Sequence, residues 1–109
     1  MSDPSDFFTH DIRVGSITRA EPFPEARQPA YKLWVDFGVE IGVKTSSARL
    51  TELYRAADLV GRQVVCVVSF PARKIGPFMS EVLILGVDTE RGVVLLQPDQ
   101  TVEDGEKIF

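Results

Sequence analysis

The chain has 109 residues, of which 44% are hydrophobic and 26% are charged, and these values are typical of a soluble globular protein with one domain. The formal net charge of −4 excludes a protein that binds nucleic acid through bulk positive charge, so any contact with phosphate has to be local. No run approaches the roughly 18 apolar residues that span a bilayer, and residues 1–10 lack the features of a secretory signal, so we expect a cytoplasmic protein.

The chain begins with a segment of residues 1–9 that we expect to be flexible, and residues 10–109 form the predicted domain. In the first predicted strand, Ile12 and Val14 alternate with polar residues, but the next apolar residue is Ile17. This change of parity near residues 15–16 predicts a β-bulge or a sharp bend, a feature that allows a sheet to curl into a barrel.

Two further strands are predicted on either side of Gly38. Apolar residues occupy every second position of residues 31–37, which is the pattern of a half-buried strand. The same alternation continues over residues 39–43 and predicts a third strand after a turn at Gly38.

A short helix is predicted over residues 47–57. Apolar side chains recur there three and four residues apart, and Ser46 or Ser47 is suited to cap the helix start.

The later strands, residues 63–70, 81–86 and 92–97, are apolar on both faces, so something has to cover the second face. In so small a chain a partner subunit is the natural cover, and we expect a homodimer. The alternative is that the apolar terminal residues fold back and complete the core of a monomer. The predicted dimer interface consists of Phe7, Phe8, Trp34, Val65, Val67, Ile108 and Phe109.

The most informative segment for function is a basic loop over residues 70–80, between two of the most apolar runs of the chain. Arg73 and Lys74 are adjacent, and the pair Gly76 and Pro77 predicts a turn that presents these charges and Phe78 outward. Such a loop indicates recognition rather than catalysis.

Together these patterns predict an all-β fold, a small Greek-key barrel of the OB type with five to six strands and one short helix between strands 3 and 4. The open face and loops of such barrels commonly hold oligonucleotides or oligosaccharides.

Short motifs recur along nearly the whole chain: DIRVG at 11–15, FPEAR at 23–27, KL at 32–33, DFG at 36–38, SSA at 46–48, LVG at 59–61, FPARKI at 70–75, SE at 80–81 and LLQPD at 95–99. With these motifs the chain resembles the tRNA-binding domain family of the EMAP II and methionyl-tRNA synthetase C-terminal type, and within it the branch of CsaA-like proteins. The resemblance implies an OB-fold homodimer that binds tRNA, and for CsaA-like members also a peptide-binding, export-related chaperone.

Three positions differ from the wider family and match the CsaA-like pattern: residues 23–24, 47–48 and 69–70. At these positions apolar groups replace polar or flexible ones, which favours an apolar ligand such as an unfolded polypeptide over RNA.

The first functional hypothesis is therefore a binding site for tRNA or another structured RNA. Phosphates would be held by cations and a hydroxyl group, and Phe78 or Trp34 would stack on an exposed base. The predicted RNA-binding residues are Lys32, Arg49, Arg73, Lys74 and Ser80.

The second hypothesis is an apolar groove that accepts side chains of unfolded precursor polypeptides, with no physiological RNA ligand. Methionine suits such adaptable surfaces. The predicted groove residues are Phe23, Phe70, Ile75, Phe78 and Met79.

No catalytic residue, metal site or cofactor is predicted. His10 lies beside the N-terminal segment, and Cys66 lies between valines as a buried small hydrophobe. One histidine and one cysteine provide neither metal-ligand spacing nor a nucleophile with its base. The sequence therefore predicts a protein that binds and does not catalyse.

Overall fold

The computed structural model describes residues 9–109, and most of them lie in antiparallel strands. The strands are β1 (Ile12–Pro22), β2 (Tyr31–Asp36), β3 (Val43–Ala48), β4 (Gln63–Val67), β5 (Arg73–Ile75), β6 (Phe78–Ser80), β7 (Leu83–Ile84), β8 (Gly86–Thr89) and β9 (Gly92–Leu95). Two single-turn helices, α1 (Gly38–Ile41) and α2 (Ala56–Leu59), interrupt them. Five strands form one sheet in the order β3-β2-β1-β4-β7, while β5 with β6 and β8 with β9 form two hairpins.

This sheet curls until β3 meets the residues that follow β6, so that the barrel is nearly closed. The amides of Glu81 and Val82 donate hydrogen bonds to the carbonyl oxygen of Thr45 at 2.8 and 3.1 Å. The return of β4 to the side of β1 gives the spatial order of a Greek key. The prediction of a small OB-type barrel with a short helix between the third and fourth strands is confirmed.

The core lies inside this barrel, and the alternation predicted for β2 provides its centre. Leu33, Val35 and Phe37 are each at most 1% exposed. They pack with Cys66, which is completely buried, and burial raises the pKa of its thiol to about 12. The thiol is therefore protonated and unreactive in the folded protein at neutral pH.

The irregularity predicted in β1 is present, but it lies slightly further along the chain. The register of β1 with β2 shifts between Ile17 and Arg19, not at residues 15–16. Gly15 instead allows close approach of two core side chains, because a Cβ atom built there would lie 2.6 Å from Cγ1 of Val35 and 2.8 Å from the ring of Phe37.

The predicted strand over residues 39–43 is wrong at its start. Gly38 has φ +88°, its amide donates to Oδ1 of Asp36 at 2.9 Å, and its carbonyl oxygen accepts the amide of Gly42 at 2.7 Å. These local bonds close the turn α1 and leave Val39 wholly exposed, so that β3 begins only at Val43.

The bounds predicted for the helix, residues 47–57, are also wrong, since β3 continues to Ala48 and the helix is the single turn α2. The serines expected to cap it serve the barrel closure instead: the hydroxyl of Ser46 donates to the carbonyl oxygen of Val82 at 2.8 Å, and the amide of Ser47 donates to Oγ of Ser80 at 3.0 Å. Within residues 9–109, neither helix is long and apolar enough to cross a membrane.

The last three predicted strands are shorter than expected. The strand predicted over residues 63–70 ends at Val67, that over 92–97 ends at Leu95, and the segment 81–86 is divided between β7 and the start of β8.

Residues 105–108 lie along the free edge of the first part of β1 and tie the end of the chain to the barrel. Gly105 and Val14 are joined by a 2.7 Å backbone hydrogen bond, and Ile108 donates to Ile12 at 2.8 Å. Arg13 donates to the carbonyl oxygen of Gly105 at 2.9 Å and to Oδ1 of Asp11 at 2.7 Å. The hydrogen bond from Arg13 lowers the pKa of Asp11 below 3.8, so the stability that it contributes is present above that pH and is lost as the pH falls through the lowered pKa.

We predict that Gly15→Ala destabilises the barrel, because the new methyl group would have to displace Val35 and Phe37 from a packed core. The free energy of unfolding, measured by urea denaturation, should fall by about 1–3 kcal/mol. Thr18→Ser, at an exposed position of the same strand, keeps the hydroxyl that donates to the carbonyl oxygen of Trp34; it is the control and should change the free energy of unfolding by less than about 0.5 kcal/mol. Equal stability of Gly15→Ala and the native protein would contradict the close approach.

Candidate ligand-binding site

The basic segment expected to be an irregular loop is largely a β-hairpin made of β5 and β6. Its register pairs Arg73 with Ser80, Lys74 with Met79 and Ile75 with Phe78, and Gly76, at φ +57°, begins the turn between them. A regular hairpin holds its side chains in a fixed order on two faces.

This order separates the two adjacent cations. Directly opposed residues of a hairpin share a face, so Arg73, Ile75 and their partners face the barrel. Lys74 lies on the other face with Met79, and both are exposed to solvent. Both cations are exposed, as expected, but their surroundings differ, because only Arg73 also lines a cavity beside the barrel.

An aromatic cluster of Phe23, Trp34 and Phe78 attaches the hairpin to the outer face of β2. The ring centroid of Phe78 lies 5.5 Å from that of Phe23 and 5.8 Å from that of Trp34, both edge to face. Such pairs stabilise by about 0.5–1.5 kcal/mol each beyond the area they bury. The cluster explains why Phe23 is 3% exposed although it lies outside the sheet.

Two cations cover this cluster. Nζ of Lys32 lies 5.3 Å from the ring centroid of Phe23 and 5.7 Å from that of Phe78, and the guanidinium of Arg19 lies 4.5 Å from the Trp34 ring. The quadrupoles of the rings favour positive charge over their faces. Arg19 also forms an ion pair with the carboxylate of Glu21, which balances part of the positive charge around the cluster.

A cavity of about 420 Å³, which we call the hairpin cavity, opens where the two arms of the hairpin diverge. Its walls are largely apolar, with Phe70, Pro71 and Ala72 on one arm and Val82 and Leu83 on the other. Phe70 and Leu83 are 42% and 48% exposed, so they form an open mouth rather than a sealed core.

The polar groups of the hairpin cavity are Arg73, Glu81, Ser47 and Ser80. The carboxylate of Glu81 is already bound, since its Oε1 accepts the amide of Thr45 at 3.0 Å and its hydroxyl at 2.8 Å. Oγ of Ser80 accepts the Ser47 amide, which leaves its own proton free to donate to a ligand. The cavity can therefore take an apolar group that lies beside an anionic one.

The remaining predicted RNA-binding residue, Arg49, belongs to a different place. It donates a hydrogen bond to the side chain of Gln28 and lines a separate cavity of about 480 Å³ with Glu52, Asp88 and Glu90. Among the predicted site residues, Lys32 lies close to Phe78, and Arg49 lies among acidic groups. Four of them line the hairpin cavity together: Phe70, Arg73, Ile75 and Ser80.

The predicted interface residues have varied surroundings. Trp34, Val65 and Ile108 are half-buried, Val67 is 6% exposed, and Phe109 is wholly exposed. Phe7 and Phe8 lie outside the described residues.

The two residues considered for catalysis differ in their burial, since His10 is exposed and Cys66 is buried. The ring of His10 packs edge to face on Phe70 with centroids 5.0 Å apart. Over residues 9–109, no group of three or more His, Cys, Asp or Glu residues could hold a metal ion.

Five residues of the site are absent from the sequence-based prediction: Arg19, Ser47, Glu81, Val82 and Leu83. The sequence pattern places Leu83 in a core strand and Ser47 at a helix cap. Arg19 is found only from the pairing of β1 with β2, which sets it opposite Trp34. The pair Ser46 and Ser47 next to alternating residues was the available signal for a strand.

Comparison with known proteins was made by sequence and by structure. The family model described as "Putative tRNA binding domain" matches residues 12–107. The crystal structure of the chaperone CsaA from Bacillus anthracis str. Ames is 49% identical, has a TM-score of 0.93, and the match covers 100% of this chain and 99% of that chain. The CsaA chaperone protein from Picrophilus torridus is 47% identical, has a TM-score of 0.95, and the match covers 100% of both chains.

A third relative is the methionine–tRNA ligase of Pyrococcus abyssi, which is 35% identical over 103 residues and matches 94% of this chain. The matched region is 14% of the length of that ligase.

We predict that Phe78→Ala detaches the hairpin from β2, because both ring contacts of the aromatic cluster pass through Phe78. The emission of Trp34, the only tryptophan of the chain, should shift to longer wavelength, and trypsin should cleave faster after residues 73 and 74. Met79→Ala, on the opposite face of the hairpin, is the control and should change neither property. Native emission and native cleavage of Phe78→Ala would contradict this role of the cluster.

Proposed function

Because this chain belongs to the tRNA-binding domain family, we propose that it is a non-enzymatic protein that binds tRNA or other structured RNA through the β5–β6 hairpin and the outer face of β2. The observation that carries this proposal is the packing of Phe78 on Trp34 and Phe23, which holds a basic hairpin over a face that already carries Lys32 and Arg19.

Phosphate contacts are assigned to Lys74, Lys32 and Arg73, with the Ser80 hydroxyl as a neutral donor. The net charge of −4 requires this binding to be local, and the cations assigned to it lie on the β5–β6 hairpin and on β2. For base contact, one face of Trp34 is covered by Arg19, so an exposed base would stack on the outer surface of this guanidinium.

We expect Lys74→Ala to weaken the binding of tRNA about 5–10-fold at about 0.15 M salt, through loss of one phosphate contact. The slope of log K against log salt concentration, measured by fluorescence anisotropy of labelled tRNA, should become shallower by about one.

Arg91→Ala is the matched control, because it removes the same charge from an exposed position in the turn between β8 and β9. Equal losses for both variants would indicate an effect of net charge alone, and an unchanged slope for Lys74→Ala would remove Lys74 from the RNA site.

A second function is supported by the hairpin cavity: binding of unfolded precursor polypeptides as an export-related chaperone. The cavity is open, largely apolar and of a size that holds side chains. The two structures of highest identity cited above are of proteins described as chaperones. Both functions would place the protein in the cytoplasm, where tRNA and newly made chains occur.

We further propose a homodimer, with exposed apolar residues covered by a second copy. Among the interface residues that the structure describes, Phe109 is the most exposed, and Val65 adds half-buried surface on β4. Burial of apolar area is the main driving force for such association.

Sedimentation equilibrium at micromolar concentration should therefore give twice the chain mass of 12.1 kDa. Phe109→Asp should shift the equilibrium toward the monomer without unfolding, because the side chain is wholly exposed. Val39→Asp, at another wholly exposed position outside the predicted interface, should leave the dimer intact. A native protein that sediments only as a 12.1 kDa species would contradict the homodimer.

A further inference from the structure

We infer that RNA and polypeptide bind this protein in alternation, because both require the side chain of Arg73. The inference rests on the two proposed ligands and adds that they exclude each other at one residue. Its basis is the position of Arg73, which supplies a cation of the basic hairpin and also forms a wall of the hairpin cavity.

The first step of the argument is the register of the hairpin. Arg73 and Ile75 lie on the face toward the barrel, and both line the hairpin cavity. Lys74 lies on the opposite face and does not line it. Of the two adjacent cations, only Arg73 therefore belongs both to the wall of the hairpin cavity and to the basic surface of the hairpin.

The second step is the size and shape of the cavity. A volume of about 420 Å³ holds a few side chains but not a folded domain. A polypeptide that inserts an apolar side chain has to continue across the mouth formed by Phe70 and Leu83. It then covers Arg73, which an RNA backbone can reach only from the solvent.

The third step is electrostatic. A guanidinium that is covered by an apolar chain without a partner loses its hydration, which costs free energy. Glu81 is the other charged group of the cavity, and its carboxylate is held by Thr45. A carboxylate beside the apolar side chain of the polypeptide would pair with Arg73, and it would then occupy the position that a phosphate takes in the RNA complex.

Three variants separate the contacts. Lys74→Ala should weaken RNA binding and leave polypeptide binding unchanged. Leu83→Ser, which alters a half-exposed wall of the cavity, should weaken polypeptide binding and leave RNA binding unchanged. Arg73→Ala should weaken both.

The test measures the affinity for fluorescein-labelled tRNA in the presence of a short synthetic peptide with a central Phe-Asp pair. Under full exclusion, the apparent Kd for tRNA should rise about tenfold when the peptide is present at about nine times its own Kd. The Phe-Asn counterpart of the peptide should compete several-fold less well. Leu83→Ser should abolish the competition at the same peptide concentration.

A titration with labelled peptide first establishes the concentration that saturates the protein. If the Kd for tRNA is unchanged at that concentration, both ligands bind at once in a ternary complex. This result would overturn the alternation but would not contradict the binding of either ligand. Equal competition by the Phe-Asp and Phe-Asn peptides would overturn the role of the carboxylate at Arg73. Failure of tRNA or of the peptide to bind alone would overturn the alternation together with that ligand's own proposal, and the two single-ligand titrations identify which one has failed.

Discussion

The barrel depends on the hydrogen bonds that Thr45 makes at the outer edge of β3. Its carbonyl oxygen accepts two amides, and its amide and hydroxyl both donate to the carboxylate of Glu81. These bonds hold the chain after β6 against β3 without a regular ladder, so the two arms of the preceding hairpin have to diverge. The hairpin cavity is the space between the arms, and its position follows from this closure.

The aromatic cluster then fixes the other end of the same hairpin. With its base held by Thr45 and its tip held by Phe78 on Trp34, the hairpin is a rigid part of the outer face. Side chains that alternate along a rigid hairpin acquire distinct surroundings, which is why Lys74 faces solvent and Arg73 faces the cavity. An acidic protein can in this way present a defined basic surface, because a few positioned cations decide the local potential.

Local patterns predicted the elements that local forces determine. The alternation of apolar residues in β2 correctly predicted which face of the strand is buried, because this pattern depends only on the residues of the strand itself. The turn predicted at Gly38 extends through α1, because the Asp36 side chain binds the Gly38 amide and this contact overrides the alternation of residues 39–43. The assignment of Ser47 to a helix failed because its amide is bound by Ser80, far away in sequence. The opposite orientations of Arg73 and Lys74 follow from a period of two, but only once the segment is known to be a strand.

The pairing of residues 105–108 with β1 has a consequence for how the protein is made. Arg13 and Gly105 are bonded across 92 residues of sequence, and β1 is also paired with β2 and β4. The strand that begins the fold therefore stays incompletely paired until the far end of the domain has left the ribosome. Folds dominated by such distant pairings form slowly, so each new copy passes through a period with an exposed strand edge. During that period it has the same open edges and apolar surface as other incompletely folded chains in the cell.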